Sequence, residues 1–159
     1  MDELLKLLRT NAALQPRKLA ELLDTSEEDV AGRIAAYEKD DVILGYRTVL
    51  NEEKLDIKTV RAVIEVKIAP EREGGFDRVA LRIAKFEEVQ SCYLMSGGYD
   101  LLVVVEGSDL RTVATFVSEK LATMTGVIST ATHFILKPYK EFGVLMTGEY
   151  SDEKLAVAP

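Results

Sequence analysis

Apolar residues in the first 44 positions recur at helical spacing. Leu4, Leu5, Leu8 and Ala12 predict a helix from about Asp2 to Thr10. Pro16, tolerated in a first helical turn, opens a second helix over Arg17 to Leu23, with Leu19, Ala20, Leu22 and Leu23 as its stripe. After Asp24-Thr25-Ser26, a third helix runs to about Lys39 with Val30, Ile34 and Tyr37 turned inward. Ser26 with Asp29, or Thr25 with Glu28, fits a capping box at its start. Three short helices with a tight turn before the third make a helix-turn-helix pattern, placed at residues 1–45.

The polar stretch Asn51 to Lys58 lies in a linker, 46–58, beyond which the period changes to two. Val60, Ala62, Ile64, Val66 and Ile68 alternate with Arg61, Glu65 and Lys67, predicting a strand over Thr59 to Ala69 packed on one side. Pro70 to Gly75 breaks it. Phe76, Val79, Ala80, Ile83 and Ala84 then predict a helix over Gly75 to Phe86. Val89 to Met95 and Leu101 to Val105 read as a hairpin around Ser96-Gly97-Gly98-Tyr99-Asp100. A helix over Asp109 to Met124, with Val113, Ala114, Val117 and Leu121 buried, and a strand over Val127 to Lys137 complete the set.

The order strand, helix, strand, strand, helix, strand is the split βαβ, ferredoxin-like arrangement, one antiparallel sheet with both helices on one face. The expected class is therefore α+β, with this domain at 59–143 and a tail at 144–159. Leu101 to Val105 is apolar at consecutive positions, so both faces of that strand call for burial. A homodimer with sheets packed face to face is the expectation.

Composition narrows the function. An apolar fraction of 47% supports packed cores and argues against disorder. Net charge is −7 over 159 residues, which favours neither nucleic acid nor an anionic membrane as partner. The longest apolar runs fall far short of a membrane span, and Met1-Asp2-Glu3 lacks the layout of a signal peptide. Cys92 is the only cysteine, so a reducing cytoplasm is expected. Cys92 and the only histidine, His133, both fall mid-strand and read as packed residues rather than catalysts. No CxxC pair, phosphate loop, H-E-x-x-H or G-x-S-x-G occurs, so neither an enzyme nor a cofactor is expected.

The third helix continues as Val30-x-x-Arg33-Ile34-x-x-Tyr37-Glu38-x-x-x-Val42-Ile43-x-Gly45-Tyr46. This resembles the leucine-responsive/asparagine-regulator (Lrp/AsnC) family of prokaryotic transcription factors, with Tyr37 in place of the usual leucine. The resemblance extends to Gly98-Tyr99-Asp100, matching a G-x-Y/F-D loop, and to Ser129-Thr130-Ala131-Thr132 in the last strand. It implies a regulator that binds double-stranded DNA and senses a small metabolite, an amino acid first. It also implies that Val42 to Tyr46 pairs with its counterpart in a second subunit, and that dimers assemble further, to tetramers or octamers.

For a zwitterionic effector, backbone N–H groups near Gly97 and Gly98 would serve the carboxylate and Asp100 the ammonium, with Tyr99 beside them. Thr130 and Thr132 share one strand face and would add hydroxyls, although threonine at alternating positions is also plain β-propensity. For DNA, the start of the third helix, Ser26-Glu27-Glu28, meets the groove, and Arg17, Lys18, Arg33 and Arg47 are the cationic candidates. Residues 1–50 carry seven Lys/Arg against ten Asp/Glu, net −3, and acids at a helix start also serve the dipole. The alternative is a metabolite-binding or assembly module with weak or lost DNA binding.

Overall fold

The computed structural model describes residues 1–55, 57–69 and 75–146; all of the expected Pro70 to Gly75 break except Gly75, and the tail beyond 146, lie outside the described residues. The chain divides into two units, Met1–Leu50 and Asn51–Pro159, a division that falls within the expected linker.

In the first unit, Asp2 caps α1 (Glu3–Thr10) by accepting from Leu4 N–H at 3.0 Å. Pro16 opens α2 (Pro16–Leu23), which ends where Asp24 turns left-handed. Ser26 caps α3 (Glu27–Lys39) by accepting from Asp29 N–H at 3.1 Å. The reciprocal half of the predicted capping box is replaced, because the Asp29 carboxylate accepts from Thr25 Oγ1 (3.2 Å) and Arg33 Nη1 (3.4 Å). Leu4, Leu8, Leu19, Ala20 and Val30 form the core, with Ile34 and Tyr37 packed against it. Leu22 is exposed, contrary to its place in the predicted stripe. Ala12 is also exposed, because α1 ends two residues before it.

Val42 to Tyr46 makes no ladder among the described residues. A strand needs a partner for its backbone groups, and the expectation placed that partner in a second subunit. Val42 and Ile43 N–H instead donate to the Tyr37 carbonyl (2.8 and 3.0 Å).

The second unit begins with a 3₁₀ turn, Glu52–Lys54, and contains β1 (Val60–Ile68), α4 (Asp77–Ala84), β2 (Val89–Leu94), β3 (Leu101–Gly107), α5 (Leu110–Thr115) and β4 (Val127–Phe134). The sheet order is β2-β3-β1-β4, antiparallel throughout, as the ferredoxin-like pattern requires. Ala62, Ile64, Val66 and Ile68 of β1 and Leu101, Val103 and Val105 of β3 are buried with Val79 and Ile83 of α4. The opposite face, with Val63, Leu102, Val104 and Tyr93, has only partial cover in the single chain.

Three differences from the sequence expectation have local causes. The helix after Asp109 is α-helical only to Thr115, then π-helical over Phe116–Leu121, with Ala122 N–H donating to Val117 C=O at 2.8 Å. The wider turn buries Phe116 and Leu121, five apart, and leaves Ala114 exposed. In α4, Ala84 is exposed while Phe86, beyond the helix end, packs on the core. The last strand stops at Phe134, and a small hairpin of β5 (Lys140–Glu141) and β6 (Val144–Leu145) follows, within what was expected to be the domain end and tail.

Candidate nucleic-acid interface and effector loop

The first turn of α3 carries Glu27, Glu28 and Asp29, all exposed, immediately after the cap Ser26. An exposed helix start after a tight turn can enter a major groove, but here its first side chains are acidic. The cationic candidates divide. Arg17 and Lys18 lie in the exposed first turn of α2, both beside Glu21, at 3.8 and 2.9 Å. Such pairs hold little energy in water and yield readily to a phosphate. Arg47 is exposed in the stretch after α3.

Arg33 behaves differently. Its Nη2 donates to both carboxylate oxygens of Asp2 (2.7 and 2.8 Å), and Nη1 reaches Asp29. Tyr37 Oη, one turn further along α3, also donates to Asp2. Asp2 thus accepts from Tyr37, Arg33 and Leu4 N–H, and these, Tyr37 foremost, hold its carboxyl at about 2, well below its ordinary value. The same contacts push the Tyr37 phenol and the Arg33 guanidinium up. Arg33, a DNA candidate by sequence, is thus found in ion pairs with Asp2 and Asp29, and Asp2, its chief partner, is not among the sequence candidates. Its position as an N-cap before an apolar-periodic run was the available signal.

In the second unit, Gly97 adopts φ +145°, and a Cβ at Gly97 or Gly98 would meet nothing within 4 Å. The loop is open and its glycine backbone can approach a ligand closely. Asp100 closes it: its N–H donates to Val66 C=O (3.0 Å), its Oδ2 accepts from Ile68 N–H (2.8 Å), and its carbonyl accepts from Met95 N–H (2.8 Å). Part of the carboxylate is therefore already used to terminate β1.

Register places Leu101 and Thr130 on either side of Val66. The loop and Thr130 flank one end of β1, two strand spacings apart, about 10 Å. Thr130 and Thr132 lie opposite buried Val66 and Ile64, so both sit half-buried on the helix-covered side. Tyr99 is half-buried in the loop.

A cavity of about 240 Å³ lies at the other end of β1, lined by Glu52, Thr59, Arg61, Ile135 and Lys137 among others. Its charges largely answer one another. Arg61 pairs with Glu141 and, at 3.6 Å, with Glu52, while Thr59 Oγ1 donates to Glu52 at 3.1 Å. Cys92 is half-buried with its thiol pushed up by burial, and His133 lies 3.5 Å from Glu65 on the open sheet face. Among the described residues no cluster of three or more His, Cys, Asp or Glu could hold a metal, and no helix is long and apolar enough to cross a membrane.

Comparison with known proteins completes the picture. Residues 61–145 match the model of the Lrp/AsnC ligand binding domain. YugG of Bacillus subtilis, described as an uncharacterised HTH-type transcriptional regulator, is 43% identical over 159 residues, 99% of this chain and 95% of YugG. The leucine-responsive regulatory protein of Haemophilus influenzae is 26% identical, covering 91% of this chain and 86% of its own. Among solved structures, the Neisseria meningitidis transcriptional regulator NMB0573 in complex with L-Met superposes with a TM-score of 0.69 at 25% identity, covering 89% of this chain and 93% of that one. From its first helix to its last hairpin, the chain belongs to the Lrp/AsnC family of transcription regulators.

Proposed function

We propose that this chain is a sequence-specific DNA-binding transcription regulator whose second unit senses a small metabolite, an amino acid first. The observation that carries the reading is the exposed start of α3 behind its tight turn, in a chain of this family. The helical unit, residues 1–45, is the DNA-reading part. Ser26, Glu27 and Glu28 lie at the groove, and Arg17, Lys18 and Arg47 supply phosphate contacts. Arg33 is withdrawn from that set, since its Nη2 donates to Asp2 and its Nη1 to Asp29.

In residues 59–143, the backbone of Gly97 and Gly98 meets the effector carboxylate, with Tyr99 and the remaining lone pairs of Asp100 beside it. Thr130 borders the same end of the sheet, and Thr132, one step further in, shapes its inner side. The working form is a cytoplasmic homodimer or an assembly of dimers. Effector acts by preferring one arrangement over another, which requires different affinities for the two. The protein acts by binding and not by turnover.

Fluorescence anisotropy of a duplex from the promoter of its own gene, at two salt concentrations and against scrambled competitor, tests the reading. Sequence-preferring binding that an amino-acid pool changes is the expected result. Binding that ignores sequence at both salts overturns the DNA half.

The net charge of −3 in residues 1–50 favours a second reading, an effector-binding or assembly module with little DNA affinity. Glu27→Lys with Glu28→Lys separates the two. A family docking geometry gains affinity for the promoter above the scramble, whereas a module without one gains equally for both.

A further inference from the structure

We propose that Asp2 is a positioning residue for DNA recognition, holding α3 to the start of α1 through Arg33 and Tyr37, and that Arg33 serves binding through this clamp and not by touching DNA. The inference rests on the DNA-binding reading above.

Arg33 and Tyr37 are one turn apart on α3, at the border between its buried stripe and its exposed side, and both converge on one carboxylate. That carboxylate also caps α1, so a single group fixes the end of one helix against the middle of another. The Asp2 and Arg33 side chains retain only 26% and 34% of their accessible surface, less than those of the Lys6–Glu3, Arg17–Glu21 and Lys18–Glu21 pairs. Partial burial makes the pair less sensitive to salt than those on the open surface.

Moving Arg33 to a phosphate would strand Asp2 and Asp29, two carboxylates, on the side of the unit from which Arg33 was drawn. The guanidinium is worth more to binding where it is. Glu27 and Glu28 sit less than two turns before Arg33 on the same helix, so a small rotation of α3 about its axis carries them toward or away from the groove. An arginine fork suits this task because its planar donors fix an angle, which a lysine ammonium does not.

The test uses the full chain and two fluorescein-labelled duplexes, the promoter of its own gene and a scramble, titrated over a range of salt. Variants are Asp2→Asn, Arg33→Gln, Arg33→Lys and the double Asp2→Asn/Arg33→Gln. Asparagine keeps an acceptor for Leu4 N–H, so the α1 cap survives. Circular dichroism checks that each variant is folded at the assay temperature.

The expected result is a fall of roughly tenfold in preference for the promoter over the scramble in each single variant, Arg33→Lys included, with the double no worse than either. The slope of log K against log salt should stay at the wild-type value. A slope reduced by about 0.9 in Arg33→Gln, with Arg33→Lys near wild type, would identify a phosphate contact and overturn the proposal. Tighter binding by Asp2→Asn would do the same, as would equal weakening on both duplexes, the mark of lost fold alone. A wild-type chain that does not distinguish the duplexes overturns the DNA-binding reading itself, and the proposal with it.

Discussion

Asp100 holds the end of β1 through Ile68 N–H, so its removal acts on the fold before it acts on any ligand. Asp100→Ala leaves that N–H without its partner and should lower the stability of the second unit by about 1–2 kcal/mol in urea unfolding. Asp100→Asn, which keeps an acceptor oxygen, should cost less. A ligand effect is to be read only from the difference between these two. Gly126, at φ +97°, is a sharper case, because a Cβ there would stand 2.9 Å from Val79 Cγ2. Gly126→Ala combines a strained backbone with a core clash and should cost about 2–4 kcal/mol in the same measurement.

Asp2 adds a pH dependence to the helical unit. Its carboxyl lies at about 2 when folded and at 3.8 unperturbed, so its contribution is present above the unfolded value and lost as pH falls through the folded one. The thermal midpoint should drop on acidification from about pH 5 to pH 2, and Asp2→Asn should flatten that drop. The Asp2 clamp was only half legible in the sequence. A cap at position 2 is a local pattern, whereas its 31-residue reach to Arg33 depends on how α1 and α3 pack.

Elements were legible where their period was regular. The alternation in β1 and the apolar run in β3 predicted both strands, and the order of elements predicted the sheet. The helix after Asp109 shows where periodicity stops informing: a constant 3.6-residue period selects Ala114 and Val117, but one wider turn hands the buried position to Phe116. Phe116 also meets Phe86 edge to face, with centroids 5.4 Å apart. Phe116→Ala should therefore cost about 3–5 kcal/mol, and Val117→Ala clearly less, in denaturant unfolding; equal costs would mean that a regular α-helix forms in solution. The β5–β6 hairpin escaped because its strands are two residues long. Its turn, Phe142-Gly143, has φ of +47° and +85°, a conformation that Asn or Asp before Gly would have announced and Phe does not.

The charge of the molecule works against the function that its fold supports. With a net −7 overall and acids leading α3, only a few cations are left to supply DNA affinity, and the proposed assembly of dimers would multiply what they supply. Glu27→Lys/Glu28→Lys should steepen the salt dependence of binding by about two phosphate equivalents.

The half-covered face of the sheet ties the fold to abundance. Val63, Leu102 and Val104 are only half-buried, and in the proposed homodimer a second sheet would cover them, so that mass action would enter the stability of each chain. Its Tm should climb with the logarithm of protein concentration, and dilution should act as a mild denaturant. A midpoint constant over two decades of concentration would mean that water alone is an adequate neighbour for that face. If the midpoint climbs, the number of copies a cell makes sets how much regulator is assembled and also how long each copy lasts.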